Sequence, residues 1–158
     1  MADPAYIDAD GVLTDGEAWV GIATTTLGTD ATGVTFTSTD DGQVGDWSQY
    51  MDLFLICYDQ SDTEIYSILR FNNDAGVNYM YQIFNGNGSA VTAYGGSNST
   101  YVHQGYCSKV SDGANVFSVQ MTHLFDINSG KFKSTMSRSA NDEDGSGYAE
   151  LNYTVWQS

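Results

Sequence analysis

The sequence predicts an all-β fold, an antiparallel two-sheet β-sandwich of jelly-roll-like form, and three observations carry that expectation. Seventeen Gly, one Pro and 11 Tyr, with Ser and Thr frequent, suit strands and tight turns better than long helices. Apolar residues recur at every second position in several segments, the period at which side chains alternate across a strand. Clusters of Gly, Asn, Asp and Ser punctuate those segments, as turns between strands require.

In chain order, strands are expected at 18–26, 33–38, 50–58, 64–71, 78–84, 116–126, 131–138 and 147–157. The stretch 65–84 reads as the central hairpin. Ile65, Leu69 and Phe71 fall on one face, Tyr79, Tyr81 and Ile83 repeat the two-residue period, and Asn72-Asn73-Asp74-Ala75-Gly76 forms the turn between them. Leu53-Phe54-Leu55-Ile56-Cys57 is apolar at successive positions, which predicts a central strand covered on both faces. After Asn115, Phe117, Val119, Met121, His123, Phe125 and Ile127 alternate with polar residues, so that strand is expected to bury its apolar row. The turn at 126–131 contains Asn128 and Gly130, suited to positive φ. Leu151, Tyr153 and Val155 stand opposite Glu150, Asn152 and Thr154 in the last strand.

The run Leu69-Arg70-Phe71-Asn72, followed by Asp74, Gly76 and Asn78-Tyr79, resembles a pattern found in small virion structural proteins of tailed bacteriophages, many of them marine. Residues 19–26 with 34–38 are similar to that family's opening strands, Tyr50-Met51-Asp52-Leu53 to its next strand, and 84–89 to its Gly-rich continuation. The likeness covers roughly residue 18 to the C-terminus; the acidic start at 1–17 lies outside it, and the insert at 40–47 departs from it. The resemblance implies one β-sandwich domain over 18–158 with no catalytic residues to transfer; the acidic, turn-rich stretch 1–17 itself reads as an N-terminal arm. The resemblance further implies a capsid decoration or cement protein, made in the host cytoplasm and bound to the capsid exterior of the virion. The expected partners are the major capsid protein and further copies of the chain, a trimer being the economical arrangement at three-fold positions of a shell.

Charge narrows the alternatives. Five Lys and Arg against 20 Asp and Glu make a formal charge of -15, which disfavours nucleic acid and anionic membrane as partners. No stretch is apolar for long enough to span a bilayer, and the first residues lack a basic region and an apolar signal core. Cys57 and Cys107 stand far apart without a Cys-x-x-Cys spacing, so reduced thiols are expected rather than a zinc or redox site.

Catalytic, cofactor and metal residues are not expected. His123 falls in register with apolar residues and reads as a hydrogen-bonded core histidine, and His103 has no nucleophile motif near it. Asp8-Ala9-Asp10-Gly11 lacks the spacing of a calcium loop, and Asp142-Glu143-Asp144 reads as a solvated hairpin tip. Contact residues are the better candidates. Tyr6, Ile7, Val12 and Leu13 would lie on a neighbouring subunit. Tyr94, Tyr101 and Tyr106 belong to a Gly-, Ser-, Asn- and Tyr-rich segment, 90–113, read as a recognition surface or a loose connection. Lys131 and Lys133 form a basic strip, either a contact or a guard of an edge strand. The alternative function is a tail or fibre module that binds a host surface glycan through Tyr94, Tyr101 and Tyr106 beside Asn or Asp groups.

Overall fold

The computed structural model describes residues 19–43, 45–62, 66–113 and 115–157 of the chain. Two compact units divide it, Met1–Met51 and Asp52–Ser158. In the first, residues 19–43 carry no strand, whereas alternation predicts two. Thr- and Val-rich sequence supplies strand propensity, but a strand exists only where a neighbour takes its backbone hydrogen bonds. The insert at 40–47 is instead a side-chain-bonded loop. Asp46 accepts from the Gly42 and Ser48 amides, both at 2.9 Å, and so caps a single 3₁₀ turn, Trp47–Gln49. Asp41 accepts from Thr39 Oγ1 at 2.6 Å and from the Gln43 amide at 3.0 Å, bonds that hold its carboxyl below the usual range.

The second unit is all β, as expected. Its strands are β1 (Leu53–Ser61), β2 (Tyr66–Leu69), β3 (Tyr79–Gly86), β4 (Val91–Ser99), β5 (Val102–Tyr106), β6 (Ser108–Lys109), β7 (Ser118–Phe125), β8 (Lys133–Asp142) and β9 (Gly147–Trp156). Seven of them make one sheet in the order β4-β3-β9-β8-β7-β1-β6, and β2 and β5 make a second. Neighbours run antiparallel except for the short β1–β6 pair.

The expected hairpin at 65–84 does not form. β2 pairs with β5 in the small sheet, while β3 lies between β4 and β9 in the large one. The intervening residues are a corner between sheets, built around Asp74. Its carboxylate accepts from Trp156 Nε1 at 2.6 Å, Asn78 Nδ2 at 2.9 Å and the Gly76 amide at 2.8 Å. Its carbonyl accepts from the Tyr79 hydroxyl at 3.1 Å, and that hydroxyl accepts from the Phe71 amide at 3.2 Å. Asn72 and Asn73 take φ of 50° and 56°, the left-handed region that Asn tolerates. The turn chemistry was legible; its partner strand was not.

Burial is inverted relative to the sequence pattern. In β7, β8 and β9 the enclosed rows are Ser118, Gln120 and Thr122, then Thr135, Ser137 and Ser139, then Glu150, Asn152 and Thr154. Leu124 joins the first row, and Tyr79 and Ile83 continue the same face on β3. Against this polar face lies β5, buried at Val102, His103, Gln104 and Gly105. Side chains of Ser and Thr are short enough to admit a strand at backbone distance, and the layer satisfies much of its own polarity. Gln104 Nε2 donates to Thr122 Oγ1 at 3.0 Å, and Thr122 and Ser137 hydroxyls bond each other at 2.9 Å. Asn152 Nδ2 donates to the Gln104 carbonyl at 3.3 Å. The Tyr106 amide and the Ser139 hydroxyl donate to Glu150 Oε2 at 2.7 and 3.2 Å.

The apolar rows face the other way. Ile56, Met121, Arg138, Leu151, Phe84 and Ala93 are successive cross-strand partners from β1 to β4. Ile56 is 50% exposed, Tyr58 75% and Phe84 43%, so β1 is not the doubly covered strand its composition predicts.

Turns follow local chemistry more closely. In the β7–β8 connection positive φ falls on Asp126 and Gly130, while Asn128 is not among the positive-φ residues. Asp144 and Gly145 turn the β8–β9 hairpin, where Glu143 N–H donates to the Ser146 carbonyl at 2.9 Å, the expected hairpin tip.

Gly105 marks the tightest approach, because a Cβ there would overlap the Ser139 side chain and its φ is 149°. Gly105→Ala should therefore destabilise the fold by about 2–4 kcal/mol, read as a lowered urea midpoint. Adding Ser139→Gly should recover part of the loss and leave the backbone strain. Equal midpoints for Gly105→Ala and the parent chain would refute the β5-on-β8 contact.

Candidate functional site

At the end of the second unit where β4, β5 and β9 converge, a groove of about 420 Å³ is lined by Tyr66, Asn85, Asn87, Ala90, Thr92, Tyr94, Tyr106 and Tyr148. Each element contributes by simple strand geometry. Tyr66 and Tyr106 are register partners of β2 and β5, with ring centroids 4.8 Å apart and hydroxyls 3.3 Å apart. Tyr148 stacks on Tyr106 at 4.4 Å and 24°. Its amide donates to Asn141 Oδ1 at 2.8 Å, which anchors the start of β9.

The opposite wall is the β3–β4 hairpin. Asn87 Oδ1 accepts from the Ser89 and Ala90 amides at 3.0 and 2.9 Å and so shapes the tip. Asn85 is buried and bonds the Thr92 hydroxyl. Burial pushes the phenols of Tyr94 and Tyr106 above their ordinary value, so near neutral pH they are uncharged groups that both donate and accept. The groove thus offers aromatic faces beside neutral hydrogen-bonding groups, and no Asp, Glu, Lys, Arg, His or Cys is among the described residues that line it.

Beneath it lies a buried titratable layer. Desolvation raises the Glu150 carboxyl, opposed chiefly by the Tyr106 amide bond. His103 is 6% exposed, its ring 4.1 Å from that of Tyr66, and neither ring nitrogen has a hydrogen-bonding partner among the described residues. Burial alone lowers its pKa to about 4.

The sequence-predicted contacts separate in space. Tyr94 and Tyr106 meet at the groove, but Tyr101 is not part of its lining. Tyr101 sits between β4 and β5, where its carbonyl accepts from Ser99 Oγ at 2.9 Å. Lys133 opens β8, a strand flanked on both sides, and its Nζ donates to the Asp126 carbonyl at 3.1 Å and to Ser129 Oγ at 3.2 Å. Lys131 is exposed in the preceding turn, so these lysines do not line a sheet edge. Tyr6, Ile7, Val12 and Leu13 lie outside the described residues. Tyr66, Asn85, Thr92 and Tyr148 went unselected in the sequence, since the β2–β5 and β3–β4 pairings and the start of β9 together bring them to one place.

Elsewhere, His123 Nε2 is 2.7 Å from Asp52 Oδ2, and the ring lies against Phe54 and Phe125 with centroids 4.0 and 3.7 Å away. Asp52 Oδ1 accepts the Asp126 amide at 2.8 Å. That arrangement pins β1 to the β7 turn: His123 is hydrogen-bonded as expected, but it stands on the outward row of β7, half-buried, rather than in the core. Both cysteines are free, with Cys107 buried and pushed up to about 11. Among the described residues no group of three or more His, Cys, Asp or Glu is placed to hold a metal ion, and no helix is long and apolar enough to cross a membrane. Comparison with protein-family models, curated proteins and solved structures finds no match in any of the three.

The His103 environment makes stability depend on pH. Its folded value of about 4 lies below the ordinary 6.5, so between them the unfolded chain binds the extra proton. This contribution is complete above about pH 6.5 and is lost as pH falls toward 4, amounting to about 3 kcal/mol. Glu150, whose carboxyl is raised, acts with the opposite sign, so the informative quantity is the difference between chains. Urea unfolding from pH 7.5 to 4.5 should show a shallower acid loss for His103→Gln than for the parent; parallel profiles would contradict the buried neutral imidazole.

Proposed function

We propose that this chain is a structural protein of a bacteriophage virion, a decoration or cement subunit on the outer surface of the head. The single observation that carries an assembly role is the outward apolar face of the large sheet. Ile56, Tyr58, Met80, Phe84 and Tyr153 are each at least 40% exposed, on a chain whose formal charge is -15. Large apolar side chains exposed together on one sheet face, here with Arg138 among them, mark a contact with another macromolecule. The likeness of Leu69–Tyr79 to phage virion proteins supplies the setting. Its residues are used for the Asp74 corner, an element of architecture rather than of chemistry. In this reading the major capsid protein is the partner, and the subunit stabilises the mature lattice by mass action because it binds only the assembled form.

A second reading rests on the tyrosine groove. Tyr66, Tyr94, Tyr106 and Tyr148 beside Asn85 and Asn87 are suited to an uncharged sugar, with ring faces against aromatic faces and hydroxyls to phenols and amides. This favours a tail or fibre module that binds a host surface glycan.

Purified particles decide the first reading. The chain should be present at a copy number matched to the capsid lattice, with cryo-electron microscopy density over the shell. Ile56→Glu and Phe84→Glu, at exposed positions, should fold normally and bind undecorated heads at least about tenfold more weakly. Absence from the particle, or density confined to the tail, would overturn it. For the second reading, Tyr148→Ala should abolish retention on a neutral-glycan array; a parent chain that binds no glycan on the array would sink it.

A further inference from the structure

The two edges of the large sheet are unlike. One is formed by β1, which over Leu53–Asp59 is bonded to β7 alone, because the two-residue β6 pairs only with Gln60 and Ser61; it carries Asp59 and has Asp52 and Asp62 close in sequence. Charge is an ordinary protection of an edge. The other is β4, nine residues long and bonded to β3 on one side only. Residues 91–98 are all exposed, Val91 at 84%. β4 carries no charged residue and no proline. Its pairing with β3 is regular from Gly86↔Val91 to Tyr81↔Gly96 and shifts only near the far end. None of the usual devices that discourage strand addition is present along most of its length.

Charge bears on what the edge can accept. From Ala75 to Ser108 the chain has no Asp, Glu, Lys or Arg, although 20 acidic and five basic residues occupy the remainder. That uncharged run folds into β3, β4 and β5. Two copies of so acidic a chain repel wherever carboxylates face each other, and the β4 edge is where the repulsion is least. Gly95 seats β4 closely on β3, since a Cβ there would lie 2.6 Å from the Tyr81 carbonyl oxygen.

We propose that β4 is a self-association edge, where a second copy of this chain adds its own β4 antiparallel and joins the two large sheets into one. An antiparallel pair of identical edges is isologous and closes at two copies, so the assembly unit is a dimer, in place of the trimer suggested by capsid symmetry. Backbone hydrogen bonds supply the attachment, as in other strand additions. The inference does not depend on a virion role.

Light scattering over a concentration series, in low salt and near 1 M salt, tests it. The parent should approach twice 17.1 kDa as concentration rises, and do so earlier in high salt, where the Debye length is about 3 Å. Val91→Lys with Ser97→Lys should remain at 17.1 kDa with an unchanged circular dichroism spectrum, despite a lower net negative charge. Hydrogen exchange on the parent is the second measurement: amides of Val91–Ser99 should gain at least tenfold protection on association. A parent that stays monomeric throughout, an oligomer whose mass the Lys variant does not change, or protection gained elsewhere but not in β4 would each overturn the proposal.

Discussion

The close seating of β5 on the Ser, Thr and Asn rows of β7, β8 and β9 is the constraint from which the rest of the second unit follows. A strand cannot approach a sheet to backbone distance across Leu or Phe side chains, but it can across hydroxyls. Gly105 above Ser139 is the point of least clearance. Buried polar groups are expensive unless paired, and here Gln104, Thr122, Ser137, Asn152 and Glu150 pair largely with one another and with the β5 backbone. Networks of this kind are sensitive to geometry in a way that apolar cores are not. Register is accordingly specified by hydrogen bonds as much as by side-chain volume.

Once the polar rows face inward, the apolar rows of the same strands must face outward, because alternate residues occupy opposite faces of a sheet. The outward ladder through Ile56, Met121, Arg138, Leu151 and Phe84 is therefore a consequence of the interior. In a chain of this acidity the ladder and the uncharged β4 edge are surfaces of unlike chemistry. One offers apolar area for a broad contact, and the other offers backbone groups for strand addition. The proposed decoration role uses the first. Self-association uses the second, and the two do not compete for the same atoms.

The tyrosine groove shows how such an interior generates a site. Tyr66 comes from β2, Tyr106 from β5, Tyr148 from β9 and Tyr94 from β4, so four strands must be in register before the rings meet. Beneath them, His103 and Glu150 are held away from water, and their titration is coupled to folding because the same packing that desolvates them builds the groove floor. The Asp74 corner has a comparable structural role at the other end of β3, fastening the β2–β3 connection to Trp156 near the C-terminus.

Local chemistry in the chain determined the all-β class, most of the strands of the second unit, the β8–β9 hairpin tip and the turn-forming character of 72–76. Each depends on residues near in sequence. Within 90–113, β4 was hidden because Gly95, Gly96 and the Ser and Asn around them have low intrinsic strand preference, and pairing with β3 overrides it. The absence of strands at 19–43 is the reverse case. Which face of each strand lies inside, and that β2 joins β5 rather than β3, were decided by tertiary structure alone. A period of two distinguishes two faces without saying which is covered; only the strand that lands on one of them makes that choice, and β5 selected the face that let it come close.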